Sequence, residues 1–121
     1  MGRDFATAFA ELAQSQAGGL VIGDDEFFLS ASADLGSLAA HHGIPAIFQG
    51  TSFTASYGCR LTELYHQVGA YSGLVLPGAA PAELPIYQSS AVEMIVNLRS
   101  AKSLGIGLPQ AIVDQATTLI R

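Results

Sequence analysis

Charge is scarce in this sequence. Charged residues make up 12% of its 121 residues, about half the ~25% of an ordinary soluble domain. The net charge is −5, with no basic patch and no interleaving of arginine with aromatics, so no nucleic-acid partner is expected. Cysteine is rarer still. Cys59 stands alone, which excludes a disulfide framework and a cysteine-based metal site. No apolar run reaches the roughly 18–20 residues that span a bilayer; the longest candidate, Val68 to Ala80, is broken by Gly, Ser and Pro. The first residues hold no charged segment leading into an apolar one, so no signal peptide is expected in this chain. Signatures of catalysis are missing as well. Ser56 lies in no Gly-x-Ser-x-Gly elbow, Cys59 has no evident base partner, and there is neither a P-loop nor a dinucleotide fingerprint. The expectation is a protein that is not an enzyme, with no catalytic residue, no metal site and no cofactor.

What is present is apolar. Half of the residues are hydrophobic, more than a small domain with much surface hides by itself, so the surplus is expected to face another protein surface. The stretch that organises the chain is Gly18 to Phe28. Leu20, Val21 and Ile22 are consecutive apolar residues, which suits a central parallel strand buried on both faces. Gly23 ends the run, and Asp24, Asp25, Glu26, Phe27 and Phe28 follow in its exit loop. In open α/β sheets, ligands meet the loops at the carboxyl ends of the strands.

Around that strand the elements alternate. Asp4 is placed to cap a helix running to about Ala17, with Phe5, Phe9 and Leu12 on one face and Gly18 and Gly19 as the stop. Ser30 or Ser32 caps a second helix bearing Leu35, Leu38 and Ala39, stopped by Gly43. Ile44 to Phe48 reads as a second strand and Ser56-Tyr57-Gly58 as a strand end. Leu61, Leu64, Tyr65, Val68, Ser72 and Val75 form one stripe of a long helix closed by Pro77-Gly78. Gly69 and Gly73 within it clear a groove for a close backbone approach, which suggests tight packing against the sheet in preference to a dimer motif. Residues 79–85 read as an exposed linker, Val92 to Leu98 as a strand, and Asn97 as the cap of a short helix ended by Gly105. Pro109 opens a last helix with Ile112, Ala116 and Ile120 inward. The pattern predicts an α/β fold with a mostly parallel sheet flanked by helices.

Four stretches then carry a resemblance over nearly the whole chain: Leu20 to Phe28; Leu38 to Ile47; Ser56-Tyr57-Gly58 with Leu61-Thr62 and Tyr65 to Gly69; and Ile95 to Gly105 with Leu108-Pro109. In their order and spacing the sequence resembles the C-terminal part of ABC-transporter substrate-binding proteins, which have a type I periplasmic-binding-protein fold. The resemblance implies a partial lobe of that fold. Residues 1–58 would belong to the C-terminal lobe, 59–85 to a helix and linker of the N-terminal lobe, and 86–121 to the return. It further implies a small, amino-acid-like solute bound between two lobes, an ABC permease as partner, and a periplasmic or cell-envelope location. Relatives carry proline where Glu26 stands and a Gly-rich stretch before the Ser-Tyr-Gly motif, where this chain runs from Ala55 straight into Ser56.

The candidate ligand-binding residues are Asp25, Phe27, Phe28 and Tyr57. Asp25 has two readings, an acceptor for a ligand ammonium or hydroxyl or a helix cap. Phe27 and Phe28 offer stacking surfaces, with one of the two expected in the core. Tyr57 lines a cleft or packs at the crossing between lobes. His41 and His42 sit in the last turn of a helix, where the dipole favours them; side chains about 100° apart do not readily share one ion. The unpartnered stripe of the long helix suggests a homo-oligomer. The alternative is a small α/β interaction or carrier domain with Asp24-Asp25 as its acidic loop site. A phosphoacceptor of that kind wants a further aspartate after the next strand, where Gln49-Gly50-Thr51 stands.

Overall fold

A computed structural model describes residues 4–121. The described residues divide into two compact units, one of residues 4–57 and 94–121, the other of residues 58–93. Its elements in order are α1 (Phe5–Gln14), β1 (Leu20–Val21), α2 (Glu26–Ser30), α3 (Ser32–His41), β2 (Ala46–Ile47), β3 (Ala55–Cys59), α4 (Leu61–Val75), a 3-10 turn (Pro81–Glu83), β4 (Val92–Asn97), α5 (Leu98–Ser103), α6 (Gln110–Gln115) and β5 (Thr118–Ile120). The strands form one five-stranded sheet in the order β1-β2-β3-β4-β5. β1 pairs with β2, β2 with β3, and β4 with β5, all parallel. Between β3 and β4 the Asn97 N–H donates to the Thr54 carbonyl at 2.9 Å and the Arg60 N–H to the Ala91 carbonyl at 3.0 Å. The residue numbers run in opposite senses, so that pair is antiparallel. The sheet is mostly parallel and flanked by helices, as the alternation of elements predicts.

In the first unit, Asp4 caps α1 as its position suggests. Its Oδ1 accepts the Ala6 and Thr7 N–H groups at 3.1 and 3.3 Å, and its Oδ2 accepts the Thr7 hydroxyl at 2.6 Å. The Thr7 hydroxyl, and then the Thr7 N–H, hold this carboxyl below its ordinary pKa. Helix α1 ends earlier than Gly18. Gln16, at φ 56°, takes the left-handed position; its N–H reaches the Ala13 carbonyl at 3.1 Å and the Ala17 N–H the Leu12 carbonyl at 3.1 Å. These two bonds make a Schellman stop. The second helix is two helices. Asp25, not Ser30 or Ser32, caps α2, and α3 starts after Ala31 without a side-chain cap. Helices α1 and α2 both pack on α3. Phe9, Leu35, Ala39, Ile44, Ala46, Phe48 and Phe53 form the core, with Phe5, Leu12, Leu20, Ile22, Phe28, Ala31 and Leu38 against it. Each large side chain fully buried there contributes about 1.5–3 kcal/mol.

Two expectations about β1 fail. It is an edge strand, not a central one, and Val21 is 79% exposed. Consecutive strand residues point to opposite faces; Leu20 packs on the core, and the face bearing Val21 is uncovered in this chain. An apolar run reports an aversion to water on both faces but not the strand's place in the ladder. The last helix is also shorter than expected. After Gln115 the chain extends through Ala116 into β5, so Ile120 sits on a strand whose partner is Asn97.

The second unit consists of α4 and the segment returning along it. Neither α4 nor the 3-10 turn has a buried residue. The Tyr71 hydroxyl donates to the Pro85 carbonyl at 2.5 Å and the Tyr87 hydroxyl to Glu63 at 2.7 Å; the Glu63 bond holds the Tyr87 pKa above its ordinary value. Between α4 and residues 81–87 lies an open apolar groove of about 1090 Å³, lined by Leu64, Val68, Tyr71, Leu84 and Ile86 among others. The expected packing of Gly69 and Gly73 is not present. A Cβ at either position would meet nothing within 4 Å.

Candidate functional site

Strands β1, β2 and β3 point the same way, with Val21 beside Ile47 and Ile47 beside Ala55. Their carboxyl ends therefore open on one edge of the sheet. The loop 23–25 leaves β1 there, Gln49 and Gly50 leave β2, and Tyr57 lies on β3 two residues beyond the one paired with Ile47. The topology brings Asp25 and Tyr57 to the same edge, where ligands of open α/β sheets bind.

Each predicted residue has a definite local setting. Asp25 Oδ1 accepts the Phe27 N–H at 2.8 Å, the capping arrangement, and the residue is exposed. The cap is thus the reading of Asp25 that the structure shows, and it occupies Oδ1. Phe27 is 43% exposed and its ring lies 5.5 Å from that of Phe5 and 5.6 Å from that of Phe28. Phe28 packs against the core, which makes it the core member of the pair. Tyr57 is 61% exposed. It sits mid-strand, not at a strand end, and the flanking Ser56 is buried, as period-2 alternation requires. His42 stacks on Phe9 with ring centroids 5.9 Å apart, and the His41 ring stands at 89° to it. Among the described residues no group of three His, Cys, Asp or Glu side chains is placed to hold a metal ion.

Sequence reasoning missed what supports this edge. The segment from β2 to β3 passes between adjacent parallel strands within residues 48–54, whereas such crossovers usually take a dozen residues or more. Phe48 and Phe53 bury edge to face, centroids 5.4 Å apart. Gly50 has φ 106° and donates its N–H to Ser56 Oγ at 3.3 Å. Gly36 on α3 lets the segment approach: a Cβ there would stand 3.0 Å from Ser52 Cβ. The signal for Gly36 was a glycine inside a helical pattern, which implies a packing reason without naming the partner.

The model of the family described as ABC transporter substrate binding protein matches residues 3–120. The chain belongs to that family. No curated protein matches it. Among solved structures it is similar to an ABC domain in complex with L-Trp from Streptococcus pneumonia, at 22% identity and a TM-score of 0.81, over 95% of this chain and 41% of that one. A conserved domain protein from Vibrio cholerae matches at 23% identity and a TM-score of 0.84, over 96% of this chain and 40% of that one. A ligand-free, open substrate-binding protein with adhesive properties from Clostridium difficile matches at 18% identity and a TM-score of 0.61, over 97% and 40%. These likenesses establish the fold, and the chain spans about two fifths of each neighbour's length.

Proposed function

We propose that this chain supplies one wall of a solute site in the binding component of an ABC import system, and that the solute is a small amino-acid-like molecule. The observation that carries the reading is the convergence of Asp25 and Tyr57 on the carboxyl edge of three parallel strands, in a chain of this family. In this role the Asp25 carboxylate receives an ammonium or hydroxyl, and Phe27 and Tyr57 offer ring faces. Phe28 acts indirectly, by fixing Phe27 from the core. A neighbour in complex with L-Trp supports an amino acid as the solute class. The first unit would belong to the C-terminal lobe of a two-lobed protein and residues 58–93 to the other. Membership of the family supports an ABC permease as partner and a periplasmic or cell-envelope location. Binding by closure of lobes involves no bond-making, which fits a protein that is not an enzyme.

The exposed apolar face of α4 supports a homo-oligomer as the form this chain takes by itself. Tyr65 is 75% and Val68 63% exposed, and monomers rarely leave large contiguous apolar patches wet.

The test of the solute reading is calorimetric titration with a panel of L-amino acids including tryptophan. One wall excludes little water, so weak or undetectable heats are expected. Sub-micromolar affinity for any of them would show that this chain holds a complete site, contrary to the proposal.

A further inference from the structure

Three hydrogen bonds of Asn97 run in three directions. Its N–H donates to the Thr54 carbonyl at 2.9 Å, its Nδ2–H to the Thr51 carbonyl at 2.9 Å, and its Oδ1 accepts the Ser100 N–H at 2.9 Å. The last bond caps α5. The other two hold both halves of the tight β2–β3 segment. Thr54 is itself tied to the sheet, since its N–H donates to the Ala46 carbonyl at 3.1 Å, and Ala46 pairs with Leu20. Asn97 thus stands level with Leu20 and Ala46, at the root of β3 and three residues behind Tyr57. A second bridge lies beside it, where Thr54 Oγ1 and Ser100 Oγ are 3.2 Å apart with Thr54 buried.

We propose that Asn97 is a positioning residue for the binding edge: it fixes the β2–β3 segment and, through it, the placement of Tyr57. The relevance to solute rests on the reading of that edge given above. A cap alone needs only an acceptor, and Asp or Ser serves as well as Asn. The amide is the side chain that accepts from Ser100 and donates to Thr51 at once.

This separates the two duties experimentally. Asn97→Asp keeps the cap but sets a carboxylate against the Thr51 carbonyl. Asn97→Ser keeps a neutral cap too short to reach Thr51. The chain contains no tryptophan, so Tyr57→Trp installs a single fluorescent reporter on β3. In that background both variants are expected to speed amide exchange by about tenfold at Gly50 and Thr54, whose N–H groups are held by Ser56 Oγ and the Ala46 carbonyl, with α5 amides unchanged, and to shift the reporter's emission maximum and quenching by acrylamide. Asp4→Ala, which weakens α1 instead, is expected to leave the reporter where it was. If Asn97→Asp does not fold, Asn97→Ser decides. Unchanged exchange at Gly50 and Thr54, or a reporter that does not move, would overturn the proposal, as would global unfolding of both variants. Neither readout contains a solute, so the outcome is independent of whether amino acids bind.

Discussion

Gln16 occupies a position that three other helices of the chain, α3, α4 and α5, give to glycine. Gly43, Gly78 and Gly105 all have positive φ and close α3, α4 and α5 with the same pair of hydrogen bonds, such as Ile44 N–H to Ala39 at 2.9 Å and Ile106 N–H to Ala101 at 2.9 Å. Those three stops were legible because glycine announces them. The end of α1 was not, because Gln16 takes the left-handed position although it is not glycine, while Gly18 and Gly19 nearby carry the misleading signal. A left-handed non-glycine residue costs about 1–2 kcal/mol, partly offset by the entropy that glycine adds to the unfolded chain. Gln16→Gly is therefore expected to stabilise by about 0.5–1 kcal/mol, read as a rise of roughly 2–5 °C in Tm. No gain in Tm would show that Gln16 is held by something stronger than its backbone.

At the scale of elements, legibility followed the range of the signal. Asp4, Asp25 and Asn97 are caps whose partners lie within three residues, and the sequence held what was needed to propose each. The edge position of β1, the approach of Ser52 to Gly36, and the hold of Asn97 on Thr51 depend on residues far apart in the chain, which no local pattern encodes. The strand β5 was hidden for another reason: Ile112, Ala116 and Ile120 keep helical spacing, and pairing with β4 overrides it. Helix α4 yields a prediction. Gly69 and Gly73 are exposed and face open space, so each costs the helix about 0.5–1 kcal/mol against alanine and returns no contact. Gly69→Ala and Gly73→Ala should each raise Tm in the isolated chain. A fall in Tm for either would mean that another backbone packs closely there.

For the whole molecule, the apolar surplus seen in composition becomes a location. Unit 58–93 has a groove of about 1090 Å³ and a helix with no buried residue, while the first unit has its own core. A second copy of the chain is the occupant available in a pure sample, and a two-fold contact would remove the stripe of Leu61, Tyr65 and Val68 from water. Light scattering should report a dimer or larger, and Leu64→Glu with Val68→Glu should give monomer or aggregate. A folded monomer of the unmodified chain at high concentration would contradict this.

The claim that matters most is where a solute touches. The direct measurement is an amide NMR titration of the chain with L-tryptophan and other L-amino acids at millimolar concentration. Fast-exchange shifts are expected only at residues 24–28, 49–51 and 57, with their loss in Asp25→Asn, which retains the cap but not the charge. Shifts clustered elsewhere, or an unaltered response in Asp25→Asn, would contradict that claim.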